Sequence, residues 1–223
     1  VGYMRQLAAE PILSMEPAKI LAVADAGPKR VLDQIRQAGV PITTIPDEAS
    51  PEGVVTKIRR VAKAIGRTAA AEDLIARVKD GFARVEARTA GISERPSVLF
   101  LLSAGKGPPL VAGRGTSAAR IIDLAGGRNA VTRFDGFKPL SPEAAVAAAP
   151  DVILTTTGTR DALGGADKLL SRHALKATPA GENGRLIAMD GLLLLGFGPR
   201  TPEAANKLAE ALHSEGALAT DAE

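Results

Sequence analysis

The run Val98-Leu99-Phe100-Leu101-Leu102 constrains the fold more than any other segment, because five consecutive apolar residues suit a strand covered on both faces. A strand with one wet face would alternate apolar and polar residues instead. Similar short runs recur along the chain, separated by stretches of helical period. Lys19-Ile20-Leu21-Ala22-Val23 reads as a strand, Val31, Leu32 and Ile35 as a helix, and Gly39 as the glycine just past that helix. The β-branched run 40–45 then predicts a second strand, parallel to the first through a right-handed crossover. After Arg95-Pro96 the pattern restarts with a strand at 98–102. Helices at 116–125 and 141–148, a strand at 152–156, a helix at 162–170, a strand at 185–189 and a helix at 201–213 follow. Alternating strands and helices imply a mainly parallel sheet.

Between these two regions lies an amphipathic stretch. Ser50-Pro51-Glu52 supplies a capping hydroxyl, a proline for the first helical position and a first-turn carboxylate. Apolar residues then recur at Val54, Ile58, Val61 and Ile65, and again at Ala71, Leu74, Ile75, Val78, Phe82 and Val85. The pattern fits one long helix, or two in line around Gly66. About 20 helical residues from Ala71 span roughly 30 Å, enough to bridge two lobes. The start signal recurs at Ser141-Pro142-Glu143 and Thr201-Pro202-Glu203, read as repeated capping chemistry. The fold class expected is α/β, with two Rossmann-like lobes of mainly parallel sheet joined by a long helix. Residues 1–66 form the first lobe, 67–95 the connecting helix and 96–223 the second lobe.

Composition removes several classes of function. A length of 223 residues with 45% hydrophobic and 24% charged side chains supports a globular chain with room for two lobes. A net charge of +3, without a dense basic block interleaved with aromatics, gives no support to nucleic-acid binding. Gly191-Leu192-Leu193-Leu194-Leu195-Gly196 is the nearest approach to a membrane span and is far too short. The absence of cysteine rules out disulfides, thiolate metal sites and cysteine nucleophiles. No leader precedes Val1-Gly2-Tyr3-Met4, so any signal peptide is expected to have been removed or not included.

Gly113-Arg114-Gly115-Thr116-Ser117-Ala118 imitates a dinucleotide fingerprint but lacks a clear following strand ending in an acid. It is either a glycine turn opening a capped helix or the loop of a nucleotide-dependent Rossmann-type enzyme. His173 and His213 lie among ordinary helix residues without an acidic cluster, which favours surface or capping roles over zinc or a catalytic triad. No nucleophile elbow, phosphate loop or His-Glu-x-x-His occurs, which leaves hydrolase and NTPase readings without a motif.

Three segments carry a resemblance to a known family. Gly2-Tyr3-Met4-Arg5-Gln6-Leu7-Ala8-Ala9-Glu10-Pro11-Ile12-Leu13-Ser14-Met15-Glu16-Pro17 is one; the other two are Phe137-Lys138-Pro139-Leu140-Ser141-Pro142-Glu143 and Met189-Asp190-Gly191-Leu192-Leu193-Leu194-Leu195-Gly196-Phe197-Gly198-Pro199-Arg200. Together they resemble the haem-binding periplasmic proteins of ABC-type hemin importers, in the long-helix (class III) group. The resemblance implies that haem is the transported ligand and that Tyr3 ligates its iron. It also implies that Glu10 and Glu143 dock the two lobes on the permease transmembrane subunits. In that family a strand, helix and strand, on the order of 50 residues, precede the tyrosine. The first lobe is therefore expected to be incomplete at its N-terminus, with self-association through the uncovered edge as one consequence.

The chemistry agrees with the resemblance. A phenolate is a hard oxygen donor suited to ferric haem. A free phenol has a pKa of about 10, so ligation at neutral pH draws on the iron's charge and a nearby cation, for which Arg5 is placed. Arg160, in the loop Thr156-Thr157-Gly158-Thr159-Arg160 after a strand's carboxyl end, is a second cleft candidate. Some relatives carry a histidine after the first strand of the second lobe; this chain has Leu102-Ser103-Ala104-Gly105-Lys106 there, so five-coordinate iron is expected. Bland readings stay open: Tyr3 as an amphipathic residue at a chain end, and Glu10 and Glu143 as first-turn carboxylates complementing helix dipoles. Another chelate, a siderophore or a corrinoid, is the alternative ligand on the same fold.

Overall fold

The computed structural model describes residues 3–103, 108–214 and the backbone of 220–222, apart from the side chains at 173 and 174. Its contacts divide the chain into two units, Val1–Ala76 and Arg77–Glu223, with the division falling inside one long helix. The 104–106 part of the stretch read for a second axial ligand lies outside the described residues.

The first unit runs α1 (Ala9–Leu13), β1 (Ile20–Val23), α2 (Lys29–Gln37), β2 (Ile42–Ile45), α3 (Pro51–Ala64) and the first turns of α4 (Thr68–Thr89). β1 and β2 pair in parallel, with Ile20 opposite Ile42 and Val23 opposite Ile45, as the sequence pattern predicts. Val31 and Ile35 of α2, Ile45 of β2 and Val54 and Ile58 of α3 are buried. Ser50 caps α3 by accepting the Gly53 N–H at 2.9 Å, and Pro51 occupies the first turn. The amphipathic stretch is two helices. Gly66, at φ 69°, takes the left-handed conformation that ends α3 before α4 begins. With 22 residues α4 is about 33 Å long, and Ala71, Ile75, Val78, Phe82 and Val85 form its buried stripe.

The second unit continues with β3 (Ser97–Ser103), β4 (Leu110–Ala112), α5 (Ser117–Leu124), β5 (Arg128–Asn129), β6 (Phe137–Pro139), α6 (Pro142–Ala148) and β7 (Val152–Thr156). Then come α7 (Thr157–Ala162), α8 (Ala166–Leu170), α9 (His173–Lys176), α10 (Pro179–Glu182), β8 (Leu186–Met189), α11 (Gly191–Leu195), α12 (Thr201–His213) and β9 (Thr220–Ala222). The sheet order is β6-β4-β3-β7-β8-β9, with β5 also pairing β3. β3, β7, β8 and β9 run parallel; β4 and β6 form an antiparallel edge. β3 is covered on both faces. Leu99 and Leu101 join a core with Ala145 of α6, Leu169 of α8 and Leu175 of α9. Val98 faces the opposite side, close to Gly127 beside Ile122 of α5 and Leu212 of α12. Each such fully buried side chain contributes about 1.5–3 kcal/mol of transfer free energy.

Four details differ from the sequence reading. β4, β5, β6 and β9 are too short to show a period. The expected helix 162–170 is two helices, broken where Gly164 and Gly165 take φ of 86° and 100°. The expected loop 156–160 is instead the start of α7, capped by the Thr156 hydroxyl, which accepts from Thr159 N–H at 3.1 Å. Thr201 does not cap α12: the helix starts at Thr201, whose hydroxyl donates to the Gly198 carbonyl at 2.8 Å. Ser141, in contrast, caps α6 through Ala144 N–H at 3.2 Å.

Candidate functional site

In the first unit the segment carrying Tyr3 is tied to the loop that follows β1. Gly27 N–H donates to the Met4 carbonyl and Leu7 N–H donates to the Gly27 carbonyl, both at 2.9 Å. A turn closes between Gln6 N–H and the Tyr3 carbonyl at 2.8 Å. On this frame Arg5 donates from Nε and Nη2 to Asp25 Oδ2, at 2.9 and 2.5 Å, and its Nη1 faces the Tyr3 phenol oxygen at 3.4 Å. The hydrogen bond and charge of Asp25, and then the proximity of Tyr3, raise the Arg5 pKa above its ordinary value, so the guanidinium stays a cation. Tyr3 is 56% exposed and Met4 38%, an apolar surface beside an oxygen donor and a fixed positive charge. The sequence reading named Tyr3 and Arg5 but missed Asp25. Its signal was position: it stands two residues past the carboxyl end of β1, where open parallel sheets carry ligand-facing residues.

In the second unit Arg160 lies in the last turn of α7, just past the carboxyl end of β7. It pairs with Asp161 at 2.8 Å, and its side chain is only one-fifth exposed. The α7 start is fixed by Thr159, whose hydroxyl donates to the Leu102 carbonyl at 2.7 Å. Thr156 pairs in register with Met189 at the end of β8, so α11 begins beside α7. There Asp190 caps α11 by accepting Leu193 N–H at 2.8 Å, and Leu192 is left 73% exposed. The carboxyl edge of this sheet therefore carries an arginine and an exposed leucine, the second of which the sequence reading did not single out.

The sequence matches the periplasmic binding protein family over residues 1–192. The chain belongs to this family. The solved structure of the periplasmic heme-binding protein RhuT from Roseiflexus sp. RS-1, in apo form, is 42% identical with a TM-score of 0.91, covering 95% of this chain and 81% of that one. The heme-binding protein BhuT, in complex with two hemes, is 40% identical with a TM-score of 0.90, covering 95% of this chain and 82% of that one. A cobalamin-binding protein of Halobacterium salinarum is 26% identical over 218 residues, 96% of this chain. The chain spans 58% to 65% of the length of the curated relatives it matches.

Proteins of the periplasmic binding family are solute-binding proteins acting outside the cytoplasm, not enzymes, and the geometry of the glycine turn agrees with that membership. The strand leading into it, β4, is antiparallel to β3, unlike the parallel strand of a dinucleotide site. A side chain at Gly113 would sit 2.3 Å from the Phe134 carbonyl oxygen, and Gly113 and Arg114 N–H donate to Gly136 and Phe134 carbonyls at 2.8 Å. The turn packs on residues 134–136, and Thr116 caps α5 through Ala119 N–H at 3.1 Å. His213 takes the capping role expected of it, with Nε2 3.2 Å from the carbonyl of Ala125 at the end of α5. The His173 side chain lies outside the described residues. Among the described residues no helix is long and apolar enough to cross a membrane, and no group of three or more His, Asp or Glu could hold a metal ion.

The two carboxylates read as docking residues are both exposed in the first turn of a helix, Glu10 on α1 and Glu143 on α6. Glu10 also stands at the rim of a groove of about 830 Å³ between α1 and α2, floored by Leu7, Leu13 and Val31.

Proposed function

We propose that this member of the family is a periplasmic haem-binding protein that hands haem to the permease of an ABC importer, with Tyr3 as the iron ligand. The observation that carries this reading is the setting of the chain's single tyrosine: its phenol oxygen faces a permanently charged guanidinium, and exposed Met4 lies beside it. A phenolate donor suits ferric iron, and a guanidinium held beside it complements the charge of an iron-bound phenolate. Two haem-binding proteins at 40% and 42% identity over 95% of the chain support the ligand class. Arg5 in the first unit and, separately, Arg160 and Leu192 in the second are the further candidate contacts, since an arginine suits a haem propionate and a leucine a porphyrin face.

The decisive measurement is an absorption spectrum of the purified chain titrated with haemin. A high-spin ferric spectrum that Tyr3→Ala removes is the expected result; a mutant that keeps the parent's spectrum and affinity would show that Tyr3 is not the ligand. The likeness to a cobalamin-binding protein favours a corrinoid as the second reading. Saturable binding of cobalamin, without a haem spectrum, is the outcome that would select it.

A further inference from the structure

Asp25 is linked to Tyr3 through Arg5. Its Oδ2 accepts from both Nε and Nη2 of the guanidinium, and because that group is planar, fixing two of its nitrogens fixes the direction of the third. The third, Nη1, is the one facing the Tyr3 oxygen at 3.4 Å. The loop bearing Asp25 is held independently of its side chain, by the backbone bonds of Gly27 to Met4 and Leu7 and of Ala26 N–H to the Val23 carbonyl at 3.1 Å. Losing the carboxylate therefore frees Arg5 while the backbone that carries Tyr3 keeps its anchors. The pair is exposed, so its contribution to folding is small and its geometric constraint is the larger consequence.

We propose that Asp25 is a positioning residue of the ligand site: by clamping Arg5 it aims one guanidinium N–H at the phenol oxygen and so sets how strongly Tyr3 donates to a metal. This rests on Tyr3 being the iron ligand. Haemin is titrated into the full chain carrying Tyr3→Phe, Arg5→Ala, Asp25→Ala, Asp25→Glu, or Arg5→Ala and Asp25→Ala together. At saturation the phenolate-to-iron charge-transfer band and the iron–oxygen stretch are recorded, alongside thermal melting of the ligand-free protein. Tyr3→Phe should lack the band. Asp25→Ala and Arg5→Ala should move it in the same direction and weaken haemin binding about two- to fivefold, the scale of an exposed charge pair. The double variant should go no further than Arg5→Ala alone, since both changes act on one path. Asp25→Glu should recover part of the shift. A parent-like band in Asp25→Ala, whatever its melting point, overturns the proposal and leaves Asp25 a surface ion pair. If Asp25→Ala does not fold, the isosteric Asp25→Asn is read by the same criterion. A band retained in Tyr3→Phe overturns the ligand assignment itself, an outcome distinct from failure of the Asp25 variants.

Discussion

Tyr3 is more than half exposed, and a solvated side chain ordinarily loses part of its ligand strength to the entropy of being ordered. Here part of that cost is met before ligand arrives, because backbone bonds from Gly27 and Leu7 hold the segment on either side of Arg5. Residue 113 offers a contrasting case, in which the close approach of Phe134, by its carbonyl oxygen and its ring, dictates identity. A Cβ there would meet the Phe134 carbonyl oxygen at 2.3 Å, a backbone atom that cannot swing away. Gly113→Ala should therefore cost about 1–3 kcal/mol through forced displacement of the 134–136 segment. Urea unfolding of the variant beside the parent checks this, and an unchanged midpoint would mean the segment yields freely.

Among the elements, the helix starts are the part most completely written in local sequence. Ser50 and Ser141 each precede Pro-Glu, and each hydroxyl accepts the N–H three residues on. Ser50→Ala should lower stability by about 1 kcal/mol, whereas Ser50→Asp should retain most of it, since a carboxylate accepts the same bond. Chemical denaturation of the pair separates cap loss from mere change of side chain. The same tripeptide at Thr201 behaves differently: Thr201 is 1% exposed, and its hydroxyl turns back to the Gly198 carbonyl. The helix begins one residue earlier relative to the tripeptide: Arg200 stands at the N-cap, its carbonyl accepting Ala204 N–H at 3.1 Å, so Thr201 lies inside the first turn.

At the scale of the whole molecule, each unit carries one of the two exposed first-turn carboxylates that the sequence resemblance assigns to docking, Glu10 and Glu143. If both dock on arginines of a permease, replacing them together by lysine should abolish haem-dependent stimulation of the permease ATPase while haem binding stays close to the parent's. The loss should be greatest at low salt, because exposed charges are screened over about 8–10 Å at physiological ionic strength. Stimulation equal to the parent's would reduce both residues to helix-dipole partners and remove the docking part of the reading.

The sequence by itself determined the α/β class, the long strands β3 and β7, and the helix starts at Ser50 and Ser141. These follow from hydrophobic period and capping chemistry, which act over a few residues and need no partner. It also pointed to Tyr3 and Arg5 through a segment that resembles haem-binding periplasmic proteins. Only the tertiary structure decided that Gly113 packs on the Phe134 backbone, that β4 and β6 form an antiparallel edge, and that Asp25 clamps Arg5. Each of these joins residues about 20 or more positions apart, so their meeting is set by packing of the sheet and its loops and not by a local period.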